Sequence, residues 1–143
     1  MELTNLSKQQ VQLQIKSNID GHIITQKVQG ELYLKGDTVY YRYEEPEASV
    51  SMGPTVTTVK VVVPDRQIKV FRHGGLQSEQ TFRLDGNGIG FYQTPQGDLE
   101  LETRTYDIGI ELVQGLGQVS WVYDLWVNSE LAGNYKLQLN IFE

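Results

Sequence analysis

Histidine is the base that a serine or cysteine nucleophile usually requires, and this sequence offers two, His22 and His73. Both stand beside turn-forming glycines, since His22 follows Gly21 and His73 precedes Gly74. We therefore expect both to be solvated turn residues. Cysteine is absent, which excludes thiol nucleophiles, disulfides and cysteine-ligated metal sites. The sequence predicts no catalytic residue, no metal site and no cofactor, so we expect a protein that is not an enzyme.

Two acidic patterns have an ordinary structural interpretation. The segment at residues 85–88 (DGNG) resembles the start of a calcium loop, but the further spaced ligands and the terminal glutamate do not follow. It is typical of a hairpin turn. Glu100 and Glu102 could form a carboxylate pair of the kind used in glycoside hydrolysis. They alternate with Leu99 and Leu101, however, which indicates a solvated outer face of a strand.

Two arginines occupy strand positions that otherwise point apolar groups inward. Arg72 follows Ile68 and Val70 at a spacing of two, and Arg83 is next to Phe82. A buried arginine must be paired or hydrated. Each could clamp a ligand carboxylate or phosphate, or could close the end of a barrel structurally. Together with nearby aromatic residues they predict a ligand site at one end of the fold, lined by Tyr41, Tyr43, Arg72, Arg83, Tyr92 and Trp121.

The elements that must position these residues are β-strands. Polar and apolar residues alternate in about ten strand-length runs between residues 10 and 142, and no convincing helical stretch interrupts them. Val11, Leu13 and Ile15 share one face of such a run, as do Trp121 and Tyr123. Closure into a barrel removes the exposed sheet edges. We predict an all-β fold, a closed antiparallel up-and-down β-barrel of about eight to ten strands.

The chain of 143 residues is long enough for one domain. Residues 1–9 are predicted to form an N-terminal arm. Residues 45–54 are the longest polar stretch and contain two prolines and a glycine, which is typical of a mobile loop or lid. Residues 1–10 lack the apolar core of a signal peptide.

The charge balance bears on partners and location. The formal net charge is -6, from 12 basic and 18 acidic residues. Nucleic-acid binders gain affinity by neutralising phosphates with lysine and arginine, so we expect no nucleic-acid partner. An anionic membrane surface is disfavoured for the same reason. The longest aliphatic run, at residues 61–63, is far short of a membrane span. These features favour a soluble cytoplasmic protein.

Some large apolar residues fall on the strand face that is predicted to be exposed to solvent. Trp126 and Val122 alternate with the inward series of their run, and Tyr40 does so on another run. An apolar outer face needs a cover, from the chain itself or from a second subunit. A two-fold homodimer is therefore one expected arrangement.

Four short segments point to a family. They are residues 41–45 (YRYEE), residues 72–75 (RHGG), residues 92–97 (YQTPQG) with Leu99 and Leu101, and residues 134–137 (NYKL). In this order and spacing the chain resembles the YwiB-like family of small uncharacterised bacterial proteins, found mostly in Firmicutes. The resemblance covers about residues 11–141. It implies a calycin-like, lipocalin-like closed barrel and brings no established activity, substrate or catalytic residue.

Three functions remain open at this point. The first is a non-enzymatic binding module that holds a small amphiphilic ligand in the barrel. The second is an interaction or structural protein whose barrel is filled by side chains. The third is an enzyme of unknown reaction, which the residue types favour least. Small barrels of about eight strands are either filled or hollow, and the sequence pattern does not distinguish the two.

Overall fold

A computed structural model of the chain describes residues 6–46 and 53–143. Within these residues every regular element is a β-strand. The ten strands are β1 (Leu6–Ile19), β2 (His22–Lys35), β3 (Thr38–Glu44), β4 (Thr55–Val62), β5 (Gln67–Gly74), β6 (Gln77–Phe82), β7 (Asn87–Thr94), β8 (Gly97–Val113), β9 (Leu116–Val127) and β10 (Glu130–Phe142). The described ranges contain no helix of the length and apolarity that crossing a membrane requires.

The strands form one closed antiparallel barrel. Each strand pairs with its neighbours in the sequence, and β1 pairs with β10 to complete the ring. The up-and-down β-barrel predicted from the alternating pattern is therefore confirmed. The ladder between β8 and β9 shifts at a bulge between Thr105 and Asp107, which lets the seventeen-residue β8 remain one strand.

The N-terminal boundary differs from the prediction. Residues 6–9 are part of β1, because Leu6 pairs with Lys35 and Gln9 with Leu32. The predicted arm is therefore strand from residue 6 onward, and residues 1–5 lie outside the described residues. The run Lys8-Gln9-Gln10 lacks alternation of polar and apolar residues, so the sequence pattern does not mark it as a strand. Backbone pairing with β2 nevertheless makes it part of β1.

Tight hairpins connect the strands. Asp20 and Gly21 have φ values of 52° and 91°, and Asn128 and Ser129 have values of 48° and 70°. Positive φ at both central residues matches the twist of a two-residue hairpin. The Asn18 side chain accepts a hydrogen bond from the Gly21 amide at 2.8 Å. The turn at Asn128 has no glycine, which is why the sequence pattern marks it less clearly than the turn at Gly21.

Aromatic rings fill much of the interior. The Phe82 ring lies 4.5 Å from that of Tyr123 and 5.7 Å from that of Trp121, and the Tyr123 ring stacks on Tyr135 at 5.2 Å. Phe82 is fully buried. Offset or tilted rings at these distances contribute stabilisation beyond the apolar area they bury. These four rings therefore pack against one another inside the barrel.

The outward aromatic residues are partly covered by cations of the same chain. The Arg104 guanidinium lies 5.0 Å from the centre of the Trp126 ring, and the Lys60 ammonium lies 6.0 Å from the centre of the Tyr40 ring. Such cation–π contacts are favourable, and the aliphatic stems shield apolar surface. The chain therefore supplies some of the cover that these outer faces need.

Candidate functional site

A row of inward residues crosses six neighbouring strands near one end of the barrel. Directly opposed residues of an antiparallel ladder lie on the same face of a sheet. Each member of the row is paired with the next: Tyr43, Thr57, Arg72, Ser78, Tyr92 and Leu99. The closed ladder thus brings together three of the residues predicted to line a ligand site, Tyr43, Arg72 and Tyr92.

Arg72 is already paired within the chain. Its Nη2 donates to both carboxylate oxygens of Glu45, at 2.6 Å and 2.7 Å, and its Nε donates to one of them at 3.1 Å. The Arg72 side chain is 26% exposed and that of Glu45 is 12% exposed. The Glu45 amide also donates to the Thr55 carbonyl at 2.9 Å, which fixes the end of β3 to the start of β4. The guanidinium is therefore neutralised by a structural ion pair.

The polar stretch predicted to be a mobile loop or lid begins at this ion pair. Glu45, Pro46, Gly53 and Pro54 are described, and residues 47–52 lie outside the described residues. The Pro54 carbonyl accepts a hydrogen bond from the Gly75 amide at 2.9 Å. Both ends of the stretch are therefore anchored to the barrel wall.

A cavity of about 70 Å³ lies inside the barrel beside this row. Its wall is mostly aliphatic, formed by Ile15, Val59, Val70, Leu137 and Leu139. Tyr43, Thr57, Trp121 and Gln138 complete it. Trp121 and Thr57 are each only 3% exposed. The indole Nε1 of Trp121 is buried and finds no hydrogen-bond partner within residues 6–46 and 53–143. The Thr57 side chain interacts with the Tyr43 hydroxyl, which lowers the Tyr43 pKa against the effect of burial. The cavity is therefore mainly apolar.

Tyr43 also borders a larger cleft on the surface. This cleft has a volume of about 400 Å³, and polar side chains dominate its lining: Gln10, Gln29, Glu31, Arg42 and Glu44. The paired register of β2 with β3 ends at Glu31 and Arg42, immediately before Tyr43. Tyr43 therefore stands between the interior cavity and the surface cleft.

Gly30 allows β2 to approach β3 at the edge of this cleft. A Cβ atom at Gly30 would lie 2.7 Å from the Leu13 Cδ1 and 2.8 Å from the Arg42 carbonyl oxygen. Both distances are shorter than side-chain contacts normally allow, and a backbone oxygen has little freedom to move away. The close approach requires glycine at this position.

Burial determines the protonation of the interior tyrosines. Burial, with the negative charge of Glu45 as a second cause, raises the pKa of Tyr43 to about 12. Burial likewise raises the pKa values of Tyr41 and Tyr123 above their ordinary range. All three phenols are neutral at physiological pH. They are therefore suited to donate hydrogen bonds and unsuited to act as bases.

The six residues of the predicted ligand site have different environments. Tyr43 and Trp121 line the interior cavity. Arg72 and Tyr92 lie on the inward row, Arg72 in its ion pair and Tyr92 packed against the core. Tyr41 is fully buried, and its hydroxyl donates to the Gly115 carbonyl at 2.8 Å. That bond satisfies the Tyr41 hydroxyl without a ligand.

The expectation that Arg83 points into the barrel is wrong. Arg83 directly follows β6, which ends at Phe82. Phe82 takes the inward position, so the next residue along the chain points outward. The exposed Arg83 side chain donates to the Asn87 carbonyl at 3.2 Å and lies 3.9 Å from the Asp85 carboxylate. It is part of a surface turn and does not line the cavity.

Thr57 is a polar cavity residue that was not predicted from the sequence. A signal for it exists, because Thr55, Thr57, Val59 and Val61 alternate in β4 and all four are buried. Threonine at an inward position is ordinary in strands, so the pattern alone does not single it out. Only the register, which places Thr57 between Tyr43 and Arg72, indicates its role.

Neither histidine joins this site. His22 and His73 are both exposed, as predicted, but they lie at the ends of strands β2 and β5 and not in turns. Across residues 6–46 and 53–143 there is no group of 3 or more His, Cys, Asp or Glu side chains placed to hold a metal ion.

Comparison with known proteins agrees with the fold. The pattern of the family described as "Domain of unknown function (DUF1934)" matches residues 9–139. The chain is 32% identical over 124 residues to the Bacillus subtilis (strain 168) protein named "Uncharacterized beta-barrel protein YwiB", covering 84% of each. The crystal structure of the ywiB protein from Bacillus subtilis is similar with a TM-score of 0.83 at 26% identity, covering 99% of this chain and 97% of that one. The predicted resemblance to the YwiB-like family is confirmed, and the relation to calycins and lipocalins stays a prediction.

Proposed function

The chain belongs to the DUF1934 family of domains of unknown function, and we propose that it is a non-enzymatic binding module for a small amphiphilic ligand. The ligand inserts one end into the barrel cavity, and its remainder lies in the neighbouring surface cleft. Tyr43 borders both spaces and would contact the ligand where it passes from one to the other.

An apolar interior cavity beside a polar surface cleft, with Tyr43 bordering both, carries this proposal. The cavity wall is mostly aliphatic, whereas polar side chains dominate the cleft. Small-molecule sites are typically apolar spaces with a few polar groups placed at their edges. This arrangement supports a binding role for this end of the barrel.

The cavity size sets what can enter. Its volume of about 70 Å³ is roughly half of the ~150 Å³ of an engineered apolar cavity that accepts benzene. It therefore holds the end group of a ligand and not a whole one. The cleft volume of about 400 Å³ lies within the range of small-molecule sites, ~300–1,000 Å³. An apolar inner space beside a polar outer one matches an amphiphile.

Methyl-detected NMR with short six-carbon probes tests the proposal. We expect 1-hexanol to shift the methyl signals of Ile15, Val59, Val70 and Leu137 saturably. Val70→Leu adds a methylene group towards the cavity and should weaken this binding, because it removes space. Val62→Leu makes the same change on the outward side of β4 and should leave the binding unchanged. Absence of saturable shifts with the wild-type protein would contradict the proposal.

A barrel filled by side chains, acting as an interaction or structural protein, is the second candidate. The stacked and tilted rings of Phe82, Trp121, Tyr123 and Tyr135 favour it, because they occupy much of the interior. In that case the cavity is a packing defect. Val70→Leu would then stabilise the fold by filling it and would alter no ligand response. Urea unfolding of this variant beside the NMR titration separates the two candidates.

A further inference from the structure

A depression on the outer wall of the barrel spans β2, β3 and β4. Its volume is about 300 Å³, and its lining consists of two tyrosines, two cations and a threonine: Tyr33, Lys35, Tyr40, Arg42 and Thr58. We propose that this outer depression binds a free nucleotide, with the base against the tyrosine rings and the phosphate against the cations. The proposal is independent of the barrel cavity, since the two share none of these lining residues.

The strand register places the two tyrosines side by side. Tyr33 and Tyr40 are directly paired between β2 and β3, so they lie on the same face of the sheet. Both are half-buried, and they alternate with the buried residues Leu32 and Val39. The Tyr33 hydroxyl donates to the Glu31 carboxylate at 2.7 Å, which orients that ring. Aromatic side chains bind nucleobases by stacking, and this pair offers the surface for one base.

Arg42 has no acidic partner, although Glu31 lies directly opposite it in the ladder. The Glu31 carboxylate instead accepts from the Tyr33 hydroxyl and lies 3.1 Å from the Lys8 ammonium. The Tyr33 hydrogen bond and then Lys8 lower the pKa of Glu31, so it is ionised and already neutralised. Within residues 6–46 and 53–143, neither Arg42 nor Lys35 forms an ion pair. Both cations are therefore free to bind an anion.

The cations stand around the tyrosine pair. Arg42 follows Tyr40 by two residues on β3, which places it one outward position, about 7 Å, along the strand. Lys35 follows Tyr33 in the same way on β2, and Lys60 is paired with Tyr40 with its ammonium 6.0 Å from the ring centre. A guanidinium binds phosphate through two parallel hydrogen bonds. We therefore assign the phosphate to Arg42, with Lys35 and Lys60 adding positive potential.

The outer depression is locally positive. None of its described lining residues is acidic. Glu44 follows Arg42 by two residues on the same strand, but it lines the neighbouring surface cleft instead. The whole chain, in contrast, has a formal net charge of -6. A local concentration of cations on an acidic protein attracts anions to that one place.

Size and charge favour a free nucleotide over a larger partner. A volume of about 300 Å³ is at the lower end of the range for small-molecule sites, ~300–1,000 Å³. A nucleic-acid strand gains affinity by neutralising many phosphates, which the overall negative charge disfavours. An acidic face of a second copy would also match the charge. Contact between two different faces of one chain does not close by two-fold symmetry, however, and leads to open-ended assembly.

A ¹H–¹⁵N NMR titration with ADP, adenosine and inorganic diphosphate separates the base from the phosphate. We expect ADP to shift the amide signals of residues 33–35 and 40–42 saturably. Adenosine and diphosphate should bind at least about tenfold more weakly, because each retains only part of the contacts. Diphosphate that binds as tightly as ADP would overturn the role of the tyrosines. Absence of saturable shifts with ADP would overturn the whole proposal.

Single substitutions test the assigned roles. Arg42→Gln should weaken ADP binding by about tenfold, the scale of one charge-assisted contact, and leave adenosine binding unchanged. Tyr40→Leu should weaken adenosine binding and leave diphosphate binding unchanged. Lys27→Gln is the matched control, because Lys27 is an exposed cation of β2 that does not line the outer depression. Equal ADP affinity in Arg42→Gln and Lys27→Gln would overturn the assignment of the phosphate.

Two further measurements test the other occupants. If an oligothymidylate of eight nucleotides binds far more tightly than ADP, the ligand is a nucleic-acid strand and the free nucleotide is wrong. If the wild-type protein forms open-ended assemblies in sedimentation and Lys35→Gln abolishes them, the occupant is a second copy. Tighter binding of ADP than of the oligonucleotide, by a protein that does not assemble in this way, is the result expected.

Discussion

Glu45 and Arg72 form a two-pronged ion pair at the end of the barrel that carries the cavity. The Arg72 Nη2 lies 2.6 Å and 2.7 Å from the two Glu45 carboxylate oxygens. Both side chains are mostly buried. The pair joins the end of β3 to the inward face of β5, across β4. Because Glu45 occupies the guanidinium, the interior next to Thr57 stays without free positive charge.

Removing one member of this pair should cost more than removing both. Glu45→Gln leaves the Arg72 charge partly buried without its counter-ion, and we expect a loss of about 1–3 kcal/mol in the free energy of unfolding. The double variant Glu45→Gln, Arg72→Met should lose less than the single Glu45→Gln variant. Urea denaturation of the three proteins measures this. A double variant that is less stable than Glu45→Gln would show that the pair itself, and not the isolated charge, dominates.

The hydrogen bond donated by the Tyr41 hydroxyl should contribute measurably to the free energy of unfolding. Its hydroxyl is buried and donates to the Gly115 carbonyl at 2.8 Å. Tyr41→Phe leaves that carbonyl without this donor, and we expect a loss of about 1–2 kcal/mol in the free energy of unfolding. Tyr40→Phe, on the outer face, is the matched control and should change stability by less than about 0.5 kcal/mol. Equal stabilities of the two variants would contradict the assignment.

Alternation in the sequence predicts the barrel and most of its inward residues. Tyr43 and Trp121 lie on strands in which apolar residues recur regularly at every second position, and both line the cavity. The phase of β6 is obscured because Ser78 and Gln80 share the inward side with Phe82. Polar residues on both faces remove the period-two signal. For this reason the prediction that Arg83 points inward was wrong.

The cavity itself could not be predicted from the sequence. Periodicity says which side chains point inward, and it says nothing of whether their volumes fill the space. The cavity arises where β1, β3, β4, β5, β9 and β10 meet, so it depends on six strands at once. The partner of Arg72 is equally non-local, because Glu45 follows the end of β3 and precedes the strand that separates the two residues.

Gly30 should be intolerant of a side chain. Gly30→Ala places a Cβ atom 2.7 Å from Leu13 Cδ1 and 2.8 Å from the Arg42 carbonyl oxygen, so β2 must shift. We expect a loss of about 1–3 kcal/mol, typical of overpacking. Gly86→Ala is the control, because its Cβ would meet only the flexible Arg83 side chain at 3.3 Å. Thermal unfolding of both variants measures the difference, and equal melting temperatures would contradict the close approach.

Stability should fall in alkaline solution in a way that depends on Tyr43. Its pKa is raised from 10.0 to about 12, mainly by burial, so the folded protein retains the phenolic proton that the unfolded chain loses. The folded state therefore binds more protons above pH 10, and the free energy of unfolding decreases as the pH rises from about 10 to 12. Tyr43→Phe should make this decrease shallower. Urea midpoints at several alkaline pH values test it, and an unchanged slope in the variant would contradict it.

The homodimer expected from the outer apolar residues stays a prediction, and Trp126 tests it. Trp126 lies on the outer face of β9, with the Arg104 guanidinium 5.0 Å from its ring centre. Because this face points away from the core, Trp126→Glu should leave the barrel folded and shift any dimer to monomer. Sedimentation velocity at high protein concentration measures the mass, and circular dichroism checks the fold. A wild-type protein that sediments as a monomer would show that Arg104 and its own chain cover Trp126 sufficiently, and would rule the dimer out.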